Sequence, residues 1–496
     1  AWGTLTISDL GSTWTANGDV IVGNKGKGML TISNGAEVVA GGNDIHLAHD
    51  NGSEGVLNIG AAAGEIEQDA GFLTADSIIF VDGNGTLVFN HTGMETNSYA
   101  FDIALESDGA GNHAIEHLAG VTNYMGDGAD FAGTTTISGG TLYVNDALGG
   151  FVDVSGGVLG GIGTLSGDVS INSGGIIAPG NSIGTLHVGN ILFHPGSIYD
   201  VEIIGGGSPP GAHNALINVT GTATLNGGTV NVIALDPETS YQDGQDYTIL
   251  TAGSVSGEFD DVVTTSAFIT PTLAHNADNV VLTIVLGDPG DPGDPGDPTT
   301  GLFTTVAQTH NQFQAATGLD GLDQTPGSDA LAVYNQILML SEEEAYQAFD
   351  LTSGEIHASS QHVIDQTFGL FTRTLRQQGS AGVGAFGSTN VMTAPLAYGT
   401  VSRPASVGAI DDATANYADR RVANAWLAPL GGRGSIDGDG NAATLDWWSA
   451  GIAGGYEGQI DIGTGNAFAG FGLGYIRSHG SVDARLSSFD ADGFHI

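Results

Sequence analysis

Between Gly139 and Asn190 short apolar pairs recur (Leu142/Val144, Val152/Val154, Val169/Ile171, Leu186/Val188), alternating with polar residues and separated by glycine-rich corners. A two-residue period means strands, and corners this frequent leave each strand too short to bury a face by itself. Stacking the strands as rungs gives every one a neighbour to cover it, so the segment predicts a parallel β-helix. A unit Gly-x-Leu-x-Ile carries the pattern upstream, at Gly3–Ile7, Gly28–Ile32 and Gly55–Ile59, with a looser copy at Gly85–Phe89; the offsets are 25, 27 and 30 residues. A second strand sits in each unit, at Val20–Val22, Asp44–Leu47 and Ser77–Phe80. From 90 to 132 the alternation lapses, and one strand over Tyr99–Leu105 is expected among loops. The rungs resume at Gly133 and run to about Leu286.

Glycine supplies 81 of the 496 residues, roughly twice the usual share of about 7%, and the repeat pattern assigns it to corners. Cysteine is absent, which excludes disulfides and thiol chemistry. The net charge is −45, and before Arg373 the only basic residues are Lys25 and Lys27. So few cations cannot supply the phosphate contacts of nucleic-acid binding. The same surface is repelled by anionic lipid head groups and keeps a secreted protein soluble. No basic-then-apolar leader opens the chain at Ala1, and no apolar run approaches the ~20 residues of a membrane helix. Membrane contact therefore has to come from strands.

Four Gly-Asp-Pro triplets from Gly287 to Pro298 read as an extended acidic spacer. Beyond it the period lengthens to that of helices. Ser328 is placed to cap a helix carrying Leu331, Tyr334, Ile337 and Leu338, and Ser341 through Glu344 has capping-box spacing. A longer helix is expected from Glu355 to about Gln378, with Ile364, Phe368, Phe371 and Leu375 as its apolar face. At about 1.5 Å per residue it is roughly 36 Å long, enough to traverse a bilayer-sized barrel. After a connector rich in small residues, strand signals return at Asn424–Leu430, Trp447–Tyr456 and Ala467–Tyr475. Trp448, Ala450, Ile452 and Tyr456 alternate with Ser449, Gly451, Ala453 and Gly455, the apolar-out, small-in pattern of an outer-membrane strand. The sequence runs to Ile496 within what reads as a fourth strand, fewer than the ~8 that close a single-chain barrel.

Two stretches resemble a known family. Gly160-Gly161-x-Gly163, Gly174-Gly175 and Pro179-Gly180-Asn181-Ser182-x-Gly184-x-Leu186 resemble the passenger-associated repeat and autochaperone region of monomeric autotransporters, the type V secretion proteins of Gram-negative bacteria. The run from Leu340 to Gly379 resembles the linker that precedes an autotransporter barrel and threads its pore. The resemblance implies a mainly β chain: a right-handed parallel β-helix passenger, a short α-helical linker, and the N-terminal strands of an incomplete outer-membrane β-barrel. The implied domains are β-helix repeats at 1–132, the passenger-associated and autochaperone β-helix at 133–286, and the acidic linker at 287–301. A helical linker at 302–380, a flexible connector at 381–420 and the start of the barrel at 421–496 follow. It gives secretion or structural roles to the motif residues just named, from Gly160 to Leu186. Phe368 and Phe371 on the helix, and Trp448 and Tyr456 in the aromatic girdles, complete that set.

Enzyme motifs are not expected. Asp44, His46, His49 and Asp50 cluster, but His46 falls in an outward slot equivalent to Ile21, so no metal site is expected there. His113 and His117, in His-Ala-Ile-Glu-His, lack the zinc-helix spacing. No nucleophile elbow, phosphate loop or calcium nonapeptide is expected. No Asn-Asn bond of the type some autotransporters cleave inside the pore occurs. The expected function is a surface-exposed β-helix passenger with its self-translocation and folding region, an adhesin or surface stalk, non-enzymatic and without cofactor or metal. Its implied partners are the outer membrane, the barrel-assembly machinery and a surface ligand. Its place is the outer membrane, with the passenger at the cell surface or secreted. The alternative is a secreted β-helix carbohydrate-active enzyme.

Overall fold

The computed structural model describes residues 2–235, 241–286, 301–384, 423–463 and 466–496. The Gly-Asp-Pro spacer and most of the connector expected at 381–420 lie outside the described residues. The chain divides into two compact units, residues 1–305 with 320–343, and residues 306–319 with 344–496.

The first unit is a parallel β-helix. On one face Trp2–Ile7, Lys27–Ile32, Glu54–Gly60, Asn84–Asn90, His113–Ala119, Thr134–Ile137 and Phe151–Val154 stack as successive parallel strands. A second face begins with Thr13–Thr15, Glu37–Val39 and Phe72–Thr74, then continues as an eight-stranded sheet from Tyr99–Phe101 to Asp261–Thr264. A third starts with Val20–Val22, Ile45–Leu47, Ser77–Phe80 and Ala104–Ser107. Alternate residues point inward, so equivalent positions form columns through the core. One column reads Ile32, Ile59, Phe89, His117, Ile137, Val154, Ile171 and Phe193 in register. Its aliphatic members are fully buried, and each such side chain contributes about 1.5–3 kcal/mol by leaving water.

The ladder does not lapse at 90–132 as the sequence predicts. Tyr99–Phe101, Ala104–Ser107, His113–Ala119 and Val121–Tyr124 are strands, and Leu87 and Phe89 lie in register with Ile115 and His117. The alternation is present but written in other residues. His113, His117, Thr122 and Tyr124 are buried here, so a hydropathy pattern reads these positions as polar.

At the far end the parallel ladder stops. Gln245–Thr251 pairs antiparallel with Asn279–Leu286, which pairs antiparallel with Ile269–His275. Helix α2 (Asp329–Leu338) belongs to this unit, capped by Ser328, whose hydroxyl accepts from the Leu331 N–H at 3.1 Å. It is fixed by the Ser266 hydroxyl donating to the Leu338 carbonyl (2.7 Å) and by the ring series Phe268, Phe303, Tyr334. The terminal edge is thereby paired and covered, which removes a template for aggregation.

The second unit contains α1 (His310–Asp320) up to Leu319, most of α3 (Glu342–Thr352), and α4 (Glu355–Gly384). With them is an antiparallel sheet of Ala423–Ile436, Leu445–Asp461, Asn466–Val482 and Ser487–His495 in chain order. Among the described residues no helix is long and apolar enough to cross a membrane.

Phe193 sits in the core column, fully buried, whereas Phe151 of the same solenoid is 41% exposed. Phe193→Ala is expected to cost about 3–5 kcal/mol and Phe151→Ala less than about 0.5 kcal/mol. Urea unfolding followed by circular dichroism measures both.

Candidate functional site: a solenoid corner and a helix on a strand sheet

The motif residues between 160 and 186 meet at one corner of the solenoid. Gly161 and Gly180, one rung apart, exchange both backbone hydrogen bonds: the Gly161 N–H donates to Gly180 at 3.1 Å and the Gly180 N–H returns at 2.8 Å. Both have positive φ, +106° and +105°, and a Cβ at either would land on a backbone carbonyl oxygen, that of Val144 or Ser182. Only glycine permits this approach. Pro179 ends the strand Ile176–Pro179, buried, and the Asn181 amide donates to Asn145 Oδ1 at 3.0 Å. Gly160 lies beneath the Tyr143 ring, and Gly163 places its N–H on the Val144 carbonyl. Gly174 and Gly175 turn the neighbouring corner, Gly184 abuts Ile162, and Leu186 is fully buried in the next strand.

Ser182 corrects the expectation that no nucleophile elbow occurs. Gly180-x-Ser182-x-Gly184 has the G-x-S-x-G spacing, and Ser182 has φ +110°. The surroundings are not those of an elbow, since the chain passes from one strand to another, Thr185–Phe193, rather than into a helix. Among the described residues no histidine is hydrogen-bonded to Ser182. Beside it Tyr143, Pro179, Asp200 and Glu202 border a cavity of about 80 Å³. Burial raises the pKa of Asp200, opposed by its bond from Asn231. His46 lies 3.9 Å from Asp19, in the outward row shared with Ile21 and Ile79, and His49 contacts Asp50 at 2.9 Å.

In the second unit α4 lies on one face of the strand sheet. Ile356 and Val363 pack with Leu445 and Val482; Phe371 packs with Leu430, Ala453 and Ile476. The Phe371 ring occupies the space where a Cβ on Gly474 would stand, 2.6 Å from it, and stacks on His495 at 5.0 Å. The face differs from the expected one. Ile364 and Phe368 are about half exposed, while Val363, Thr367, Phe371 and Thr374 are buried. Phe371 and Leu375 of the expected face do meet the sheet, over Gly474 and Gly472, but the first half of the helix buries Val363 and Thr367 in place of Ile364 and Phe368.

The other side of the sheet is apolar and open. Trp448, Ile452, Tyr456, Phe471 and Leu473 are 46–62% exposed, whereas Ser449 and Ala453 are buried beneath the helix side. Sequence reasoning missed the polar clamp at the start of α4. Glu355, 7% exposed, accepts from the Ala443 N–H at 3.0 Å, and Arg485 contacts Asp350 at 2.8 Å and Glu355 at 3.5 Å. The Asn311 backbone and side chain also donate to Asn441. The one available signal was the scarcity of cations, which makes any arginine in a tight turn conspicuous.

Arg485→Ala leaves Glu355 buried without its cation, and a loss of about 3–5 kcal/mol is expected. Arg477→Ala, at an exposed contact with Asp490, should cost less than about 1 kcal/mol. Thermal melting in detergent micelles discriminates the two.

The profile of the family described as "Autotransporter beta-domain" matches residues 425–496. The chain is similar to the extracellular serine protease of Serratia marcescens, 25% identical over 84% of this chain and 40% of that protein. It is also similar to the uncharacterized lipoprotein YdeK of Escherichia coli K12, 35% identical over 25% of this chain and 9% of that one. The chain thus spans well under half the length of these relatives. Its strand unit is apolar outside and small-residue inside, the arrangement of an outer-membrane sheet. With the family profile falling on that same sheet, residues 425–496 match an autotransporter β-domain, which supports a Gram-negative outer-membrane location with the preceding β-rich segment surface-exposed or secreted.

Proposed function

We propose that the β-helix is the stalk end of the passenger and that its capped region templates rung-by-rung folding outside the cell. The observation that carries this is the asymmetry of the ladder's later end. There the antiparallel strands 269–286 and α2 close the edge, while earlier described rungs pair parallel with the rung that follows, apart from register shifts at Phe89/Asn90 and Leu165/Asp168. Each new rung then adds to a formed edge and buries its apolar column. The free energy released draws the next segment outward without nucleotide hydrolysis. The strand unit, inserted by the barrel-assembly machinery, anchors the process, with Trp448 and Tyr456 at the membrane interfaces and Phe368 and Phe371 on the pore helix. The Gly161–Gly180 bridge is the corner on which the template turns.

The complete reading frame is expressed in a Gram-negative host with Gly180→Val, and passenger display is read by antibody binding and resistance to added protease. A fall of at least tenfold in protease-resistant surface passenger is expected, with the membrane-inserted part unchanged. Undiminished display overturns the templating role.

A second reading, a protease passenger, is favoured by the similarity to the extracellular serine protease of Serratia marcescens. Labelling of this chain with a fluorophosphonate probe separates the two. Ser182, with no imidazole bonded to it among the described residues, is expected to remain unlabelled, and stoichiometric labelling there would replace the stalk reading.

A further inference from the structure

His117 stands in a column of otherwise apolar side chains, between Phe89 on one rung and Ile137 on the next, and is fully buried. His91, also fully buried, follows the neighbouring strand, and the two rings lie 6.2 Å apart. Both direct Nε2 at a single hydroxyl, that of Thr122, at 2.8 Å from His91 and 3.0 Å from His117. Thr122 is itself without solvent exposure.

The outer ring nitrogens fix every proton in the network. His117 Nδ1 lies 2.8 Å from the Gly139 carbonyl, which can only accept, so that nitrogen carries hydrogen and Nε2 is the bare acceptor. His91 Nδ1 receives the Gly93 N–H at 3.1 Å, so it is bare and Nε2 donates. The relay runs one way: Gly93 N–H to His91, His91 to Thr122, Thr122 to His117, His117 to Gly139. Each donor meets one acceptor, and neither ring has a site for another proton. A proton on His91 Nδ1 would confront the Gly93 N–H. A proton on His117 Nε2 would set two donors on Thr122 and leave its hydroxyl hydrogen without an acceptor.

Among the described residues, the neighbouring groups offer no compensating charge to either ring. Tyr99 and Phe89 flank the rings at 5.3 and 6.0 Å. On the same strand as His117, His113 is occupied by Val81 and Ser107, and Glu116 alternates to the outer face. Of the adjoining acids, Asp69 binds the Thr92 hydroxyl and Glu95 accepts from Tyr143. Asp102 lies near Tyr99, whose hydroxyl burial holds protonated.

We propose that the His91–Thr122–His117 relay is an acid-release point, a rung that stays closed in neutral medium and opens locally in acid while the rungs beyond it hold. Desolvation holds both rings well below the ordinary 6.5, at about 4, the proximity of His117 adding to the effect on His91 and the Gly139 bond opposing it in His117. Between those values the opened rung binds protons that the closed rung refuses. Closure is therefore fully favoured above pH 6.5 and weakens as pH falls towards 4. Opening would expose unpaired strand edges in the middle of a surface passenger, a surface available for new pairing only in acid.

Hydrogen exchange of the full chain, corrected for intrinsic amide chemistry, is compared at pH 7.5 and 4.5. The opening constant over residues 85–125 should rise on the order of 10³-fold, while residues 150–180, which contain no histidine, change by less than about tenfold. H91Q/H117Q, which keeps amide hydrogen bonding but cannot titrate, should lose at least tenfold of that response. A uniform response along the solenoid, or an undiminished one in the folded double variant, overturns the proposal. If the double variant fails to fold, the regional comparison in the unaltered chain decides.

Discussion

The in-register pairing of each rung with the next is the constraint on which the rest of the protein depends. Because side chains alternate every residue, a slip of one position would turn a whole apolar set to solvent. The columns therefore specify the register as firmly as they stabilise it. Rungs of unequal length are accommodated because added residues leave through the corners. Gly3 pairs with Gly28, twenty-five residues on, whereas Ile137 pairs with Val154, only seventeen on, without disturbing the column. Corner glycines such as Gly161 and Gly180 make this tolerance possible by letting backbones approach where no side chain fits.

The scarcity of cations shapes the outer surface. A stacked ladder brings like residues together, and in a chain this acidic that would stack carboxylates. Asparagine amides take the place that lysine and arginine fill elsewhere. Asn172 donates to Asp153, Asn190 to Asp168 and Asn231 to Asp200, each from an adjoining rung at 2.7–2.9 Å. Such bonds satisfy the carboxylates without introducing positive charge, so the surface stays strongly acidic. The partly buried arginine pairing in the second unit, Arg485 with Asp350 and Glu355, holds the start of α4 to the turn between two strands.

The strand unit inverts the logic of the solenoid. There the apolar residues face inward and the polar ones outward; here Trp448, Ile452 and Tyr456 face outward, and serine, glycine and alanine lie beneath α4. Small residues on the helix side admit a helix carrying its own aromatic ring, and Phe371 resting on Gly474 replaces a conventional core. One face then suits a hydrocarbon solvent and the other a threaded helix.

The sequence alone determined what rests on local repetition. Strand periodicity, glycine corners and the lengthened period after the acidic spacer define a solenoid, helices and an outward-apolar sheet, because each is written in residues near one another along the chain. Only the tertiary structure decided what depends on neighbours a rung or more away. Residues 91–132 belong to the ladder because backbone pairing continues through them, although histidines and threonines replace aliphatics inside. The seating of Phe371 and Leu375 depends on glycine sockets on a strand a hundred residues later, and the mutual bridge of Gly161 and Gly180 exists only once two rungs are stacked. Hydropathy records the preference of a side chain for water in isolation. It cannot record that His117 finds a carbonyl on one side and a hydroxyl on the other, and so is at home in an apolar core.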